Sequence, residues 1–181
     1  MGLQMRRIMI VGQPGSGKST LARALGEQSG LPVVHIDHIH WMPGWVERPR
    51  DEKTRLCHAA EAGEAWIFEG GHSATWANRL ARAEMLIWLD LPLWLRFGRV
   101  VWRTLRYQGR NRPDLPPDCP EGFHRETLPF WRFIWRTRHT SRAGIQRLWD
   151  NAPASKQRVR LTSAREVRRF VRGFGDQSGV R

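Results

Sequence analysis

Lysine is nearly missing from this chain. Of its 30 lysine and arginine residues only Lys18, Lys53 and Lys156 are lysines. The formal net charge of +13 and the sequence pI of about 11.5 therefore rest on arginine. That balance favours polyanionic partners, whether nucleotide, nucleic acid or an anionic surface. Arginine's planar fork suits bidentate phosphate contacts, and a solvated basic surface is the other use of such a composition. Cysteine is scarce too. Cys57 and Cys119 are too few for a disulfide framework and point to a reducing compartment. No apolar run is long enough to span a bilayer. The apolar run after Arg6 and Arg7 is too short for a signal peptide and leads straight into a glycine turn. Met1-Gly2 lacks the Ser or Thr that N-myristoylation asks for at position 6, where Arg6 stands. A cytoplasmic protein with no membrane partner is the expectation. Internal repeats, low-complexity tracts and helix-turn-helix, zinc-finger or RNA-binding signatures are also absent.

What is present is enough for a core: 181 residues, 40 % of them hydrophobic, read as one domain over 1–181. Strand-like apolar runs alternate with helical stretches, which argues for a parallel α/β sheet. Strands are expected at 7–11, 32–37, 65–69, 85–90 and 158–161. Helices are expected at 17–29, 51–63, 73–83, 92–107 and 125–149, and a last one follows a capping box of Ser163 and Glu166. Residues 108–122 (QGRNRPDLPPDCPEG) are rich in proline, glycine and charge and read as a loop or lid.

The stretch GQPGSGKST, residues 12–20, fits the Walker A pattern and lies between a strand and a helix, as that motif requires. Gly12, Gly15 and Gly17 let backbone N–H groups turn inward around phosphate oxygens, with Ser16 between them in the cradle. The helix starting near Lys18 aims its positive end at the same anion. Lys18 reaches the β- and γ-phosphates, Ser19 offers a hydroxyl to Mg²⁺, and Thr20 can bond the α-phosphate. ATP and Mg²⁺ are thus the expected cofactors.

In an open α/β sheet, ligands gather at the carboxyl ends of the strands. Three carboxylates fall there. Asp37 is a candidate base or hydrogen-bond acceptor for an incoming hydroxyl, or else a helix cap. Glu69 is a candidate Mg²⁺ carboxylate, or else a turn residue. Asp90, ahead of Leu91-Pro92, reads as a helix cap. Trp41 and Trp45 flank Met42-Pro43-Gly44 and could wall an acceptor pocket. His35, His38 and His40 alternate, as at a strand end. Arg96, Arg99, Arg103 and Arg106 share one helix face, which either leads to the lid or is solvated opposite an apolar face. Cys119 and His124 are too few for a zinc lid.

Taken together, GQPGSGKST (12–20), HIDHIHWMPGW (35–45), WIFEGGHSATWANRL (66–80), MLIWLDLPLWLRFGRVVWR (85–103), RYQGRNRPDLPPDCPEGF (106–123) and RVRLTSAREVRRFV (158–171) resemble the P-loop kinases of the adenylate-kinase-like group. More closely, they resemble the bacterial DNA topology modulation (FlaR-related) family. The resemblance covers nearly the whole chain. It implies a three-layer P-loop fold with a five-stranded parallel sheet in order 2-3-1-4-5, and a lid at about 106–124. Arg110 and Arg112 in that lid would close on the ATP phosphates, with Arg103 and Arg106 on its approach and Arg136, Arg138 and Arg142 on its return. There are departures. Glu69-Gly70 replaces the family's usual Asp-Gly. Nucleoside monophosphate kinases carry Gly-Phe-Pro-Arg where this chain has Gly70-Gly71-His72-Ser73, and its next arginine is Arg79.

The function expected from these residues is transfer of the γ-phosphate of Mg-ATP to a small acceptor, a nucleotide or nucleoside being among the options. Lys18, Asp37, Arg110 and Arg112 would be catalytic, and Ser19 and Glu69 would bind the metal. A nucleic-acid-associated NTPase affecting DNA topology is the alternative, and a slow ATP switch is a third.

Overall fold

The computed structural model describes residues 5–110, 114–122 and 127–177. In chain order these form β1 (Arg7–Gly12), α1 (Lys18–Ser29), β2 (Val33–His35), α2 (Ile36–His40), β3 (Trp41–Met42), β4 (Val46–Glu47), α3 (Arg50–Glu61) and β5 (Trp66–Glu69). A 3-10 turn at Ser73–Thr75 then runs into α4 (Trp76–Arg82), followed by β6 (Met85–Leu89), α5 (Leu93–Arg106), α6 (Thr127–Arg136), α7 (Arg138–Asp150), β7 (Gln157–Leu161) and α8 (Ala164–Gln177).

Five parallel strands make the central sheet in the order β2-β5-β1-β6-β7. Counted among themselves, these strands run 2-3-1-4-5. The small β3–β4 pair, which the sequence did not announce, shifts the numbering. Both faces of the sheet are covered, so the middle strands read as continuous apolar runs rather than alternating ones. Ile8 and Ile10 face one core with Leu21 and Leu25 of α1 and Val167 and Phe170 of α8. Met9 and Val11 face the other, with Cys57 of α3, Leu80 of α4 and Ile145 and Leu148 of α7. Trp66 and Trp88 are fully buried in that second core. Complete burial of such side chains contributes roughly 2–3 kcal/mol each.

Three expectations are corrected. The strand expected over 32–37 stops at His35, and Asp37 lies in the first turn of α2, where a carboxylate suits the helix dipole. His38 and His40 are therefore helical, not alternating on a strand. The helix expected over 125–149 breaks at Thr137, whose hydroxyl bonds back to the Phe133 carbonyl at 2.7 Å and so competes with the regular ladder. The β3–β4 hairpin turns through Pro43, Gly44 and Trp45, with Trp45 in the left-handed region (φ 60°). Two-residue strands are too short for a period-2 pattern to reveal. Ser163 Oγ does cap α8, accepting the Glu166 amide at 3.2 Å, while the Glu166 carboxylate accepts the Thr162 amide at 2.7 Å. Among the described residues, no helix is long and apolar enough to cross a membrane.

Candidate active site

β1 delivers the chain to Gly12, and α1 begins at Lys18. Between them the loop is gripped from outside by α5. Arg96 donates from Nη1 to the Pro14 carbonyl (3.2 Å) and from Nε to Leu91 (3.0 Å), and Arg99 donates to the Ser16 carbonyl (3.2 Å). Gly15 has φ +77°, and a Cβ there would collide with the Arg96 carbonyl oxygen, so only glycine permits this contact. Gln13 adds a bond from Nε2 to the Arg138 carbonyl at 2.8 Å. With these carbonyls taken, the amide edge of the loop is the polarity left for an anion. Ser16 Oγ is buried with no hydrogen-bond partner among the described residues, which fits a cradle that a phosphate oxygen would complete.

These contacts correct the reading of the arginine stripe. Arg96 is 3 % exposed. Buried Arg96 and half-buried Arg99 fasten α5 to the phosphate loop instead of leading to the lid. Burial lowers the pKa of both, and Asp90 opposes the effect at Arg96.

Lys18 Nζ makes only a long contact of 3.4 Å to the Gln13 carbonyl. Burial pulls its pKa down, and the fields of Glu69 and Asp37 push it up. Two of the three carboxylates expected at the strand ends thus favour the charged form of the one loop ammonium.

Glu69 closes β5 and is 1 % exposed. Its Oε1 accepts from Ser19 Oγ at 3.1 Å and lies 2.9 Å from His35 Nδ1. The parallel register sets His35 directly beside Glu69, so this histidine addresses the carboxylate and not an acceptor. Gly70 follows with φ +114°, and a Cβ there would run into Ile36. No group of three His, Cys, Asp or Glu among the described residues forms a metal cluster. A hydroxyl and a carboxylate side by side suit Mg²⁺, which takes few protein ligands and completes its shell with phosphate oxygens and water.

On the side where the sequence expects the acceptor lie α2, the hairpin and the Gly70–Thr75 turn. Asp37 is half-buried there. His72 adopts φ 139° and shares a 2.8 Å hydrogen bond with Thr54 Oγ1. Burial first, then Lys53, Arg79 and Arg50, lower its pKa. Trp41 and Trp45 meet edge to face at 5.2 Å. Arg48 is committed to the Ile39 carbonyl and to Glu52. Arg79, fully buried, bonds Glu61 Oε1 (2.9 Å), Thr75 Oγ1 (2.9 Å) and the Gly70 carbonyl (3.2 Å), and lies over the Phe68 ring. It is a strut beneath the turn, a role that no sequence pattern announces.

Asp90 does not cap a helix. It receives both arms of Arg142 (2.9 and 2.8 Å) and also Arg160. Burial raises its pKa, but these hydrogen bonds outweigh burial and hold it below the usual carboxylate range. Arg142 is thus a scaffold residue rather than part of the lid's return. Of the lid arginines, Arg110 is exposed, with no hydrogen bond to residues 12–20 among the described residues, and Arg112 lies outside them, as does His124. The segment 114–122 docks on the hairpin. Gly44 N donates to the Asp118 carbonyl (2.9 Å), Trp45 Nε1 to Pro120 (3.0 Å), and the buried Cys119 thiol to Met42 (3.5 Å).

A profile of the ATPase family associated with various cellular activities (AAA) matches residues 8–67, which include the phosphate loop. Shikimate kinase of Pseudomonas fluorescens is 30% identical over 151 residues, covering 72% of this chain and 83% of that protein. Archaeal Lon protease of Archaeoglobus fulgidus is 28% identical over 144 residues, 71% of this chain, but the chain spans only 22% of that protein's length. Among solved structures, shikimate kinase from Acinetobacter baumannii in complex with shikimate superposes with a TM-score of 0.57 at 17% identity, covering 93% of this chain and 90% of that one. This last likeness concerns the fold. The matches lie with P-loop kinases and ATPases and do not show the DNA topology modulation family.

Proposed function

The chain belongs to the shikimate kinase family of P-loop proteins, and on that premise we propose that it is a phosphotransferase carrying the γ-phosphate of Mg-ATP to a hydroxyl of a small molecule. The observation that carries the proposal is the hydrogen bond of Ser19 Oγ to the buried Glu69 carboxylate beside the phosphate loop, a hydroxyl and a carboxylate paired as Mg²⁺ would need them. Asp37 and Glu69 both favour the charged form of Lys18, against burial. In this reading Gly12, Gly15, Ser16, Gly17 and Thr20 hold the phosphates, and Lys18 offsets charge on the transferred group. Ser19 and Glu69 would hold Mg²⁺, with Glu69 acting through water. Bound Mg²⁺ supplies neutralisation of the phosphate oxygens. Asp37 accepts the proton or hydrogen bond of the attacking hydroxyl. Residues 106–124 act as the lid, with Arg110 and Arg112 as its cations.

A hydroxyl acceptor is favoured over a nucleoside monophosphate. Arg79, the first arginine after the Gly70 turn, is consumed by Glu61 inside the core and has no fork to offer a phosphate. Some of the arginines behind the basic charge are engaged by the protein itself, Arg96 and Arg99 by carbonyls of the phosphate loop and Arg142 and Arg160 by Asp90.

The test is ATP consumption with Mg²⁺ across shikimate, other small hydroxylated acids and sugars, nucleosides, nucleoside monophosphates and duplex DNA, with Lys18→Ala as control. Stimulation by one hydroxylated small molecule, with a phosphorylated product, is the expected result. Stimulation by DNA alone, fading with salt, would overturn it.

A further inference from the structure

α5 is turned inside out. Its buried positions are Arg96, Val100 and Thr104, while Trp94, Trp102 and Leu105 stand in solvent. α6 lies beside it, with Trp131 against Phe97 at 5.8 Å, and adds Leu128, Phe133 and Trp135 to the exposed side. Exposure of these six side chains runs from 50% at Phe133 to 74% at Trp94. Among the described residues, Val46 is the one other large apolar side chain so exposed. The patch therefore belongs to one pair of helices and is not scattered in the way isolated surface hydrophobics are.

The helices that bear it carry charge of one sign. Residues 91–107 and 127–149 contain no Asp or Glu. Arg106, Arg132 and Arg136 are exposed among the apolar side chains. Aromatic and aliphatic groups at the surface, with arginines interleaved and no carboxylate, are the composition of a helix that lies in the interface of an anionic bilayer. We propose that the outer face of α5 and α6 docks on an anionic lipid surface, with its tryptophans and leucines entering the headgroup layer and its arginines meeting lipid phosphates.

Two rival occupants fit less well. A second copy would be isologous and set this basic face against itself, with no carboxylate on these helices to offset it. Single-stranded nucleic acid stacks its bases on open aromatic faces. Here Arg106 covers the Trp102 ring at 5.1 Å and Arg138 covers Trp135 at 4.5 Å, and Leu105 and Leu128 offer no ring. The surface departs from the expectation of no membrane partner, which weighed spanning segments, a signal peptide and N-myristoylation but not a helix face that rests on a bilayer. It does not depend on the phosphotransfer reading.

The test is co-sedimentation of the full chain with vesicles of phosphatidylglycerol and phosphatidylcholine, against phosphatidylcholine alone. Brominated acyl chains would serve as tryptophan quenchers. The expected result is partition onto the anionic vesicles with quenching, and little onto the neutral ones. Trp94→Ser/Trp102→Ser/Trp135→Ser and, separately, Arg106→Gln/Arg132→Gln/Arg136→Gln should each lower partition by about ten-fold or more. All six positions are exposed, so thermal melting should confirm folded variants. Absence of binding to anionic vesicles by the wild-type chain would overturn the proposal. So would binding that the tryptophan variant leaves unchanged. A solution dimer, or affinity for a single-stranded oligonucleotide, that vanishes in the tryptophan variant while vesicles are ignored would also overturn it, in favour of the corresponding rival.

Discussion

On the donor side, one loop runs between a fully buried strand and a regular helix, and α5 clamps it by two arginines to two carbonyls. On the acceptor side, a five-residue helix, a two-stranded hairpin and a 3-10 turn meet. Trp45 and His72 hold positive φ there, and the Gly70 turn rests on one buried arginine. The donor side performs a task common to all users of ATP, and its shape follows from the chemistry of phosphate. The acceptor side must fit one molecule, and it is assembled from short pieces whose conformations are imposed by tertiary contacts and not by propensity. Strain of about 1–3 kcal/mol at a non-glycine positive φ persists only where surrounding contacts fix it.

The largest test of this contrast is Arg79→Met. Removing the cation leaves Glu61 buried and unpaired, which should cost about 3–5 kcal/mol, roughly 10 °C or more in melting temperature for a chain of this size. A melt close to wild type would show that the acceptor side does not rest on this strut. Lys18→Ala should leave the melt nearly unchanged while ATP turnover falls by about 10²–10³-fold. Normal turnover would remove the loop from the donor role. Asp37→Asn separates the two sides: product formation should fall about 10²-fold while ATP affinity, read by calorimetry, stays within about a factor of three. Equal losses in both would place Asp37 on the donor side.

The smallest expected effect concerns the scaffold beneath both sides. Asp90 has a folded pKa below its ordinary 3.8. The stability it contributes is therefore complete above that value and is lost as pH falls through the lower folded one. The melting difference between wild type and Asp90→Asn, about 1 kcal/mol or less, should be flat from neutral pH down to about 5 and shrink toward about 2–3. A difference that grows on acidification would contradict the ion-pair assignment.

The donor side was legible because glycines, Lys18 and Ser19 answer to a ligand whose geometry is fixed, and because buried parallel strands announce themselves as apolar runs. Glu69 was found from its place at a strand end; its partner His35 was not, since the pairing follows from sheet register between residues 34 positions apart. The hairpin was missed because two-residue strands carry no periodic signal. Helical geometry alone groups the arginines of α5 along one side. That Arg96 and Arg99 turn inward while Arg106 stays exposed depends on the carbonyls of Pro14 and Ser16, which accept guanidinium groups where a sequence pattern would place leucines.

The docking of residues 114–122 on the hairpin has a consequence for the order of events. Three hydrogen bonds join the segment proposed as the ATP lid to the hairpin proposed to flank the acceptor, so the two cannot move independently while these bonds persist. In that reading each substrate would help to position the cover of the other, and by thermodynamic reciprocity each would raise the affinity of its partner by the same factor. Calorimetric titrations in both orders would read that factor, and a value of one would show the latch to be idle. Under the proposed phosphotransfer, such a coupling would discourage the loss of phosphate to water, because the arrangement that shields ATP would be completed by the molecule meant to receive it.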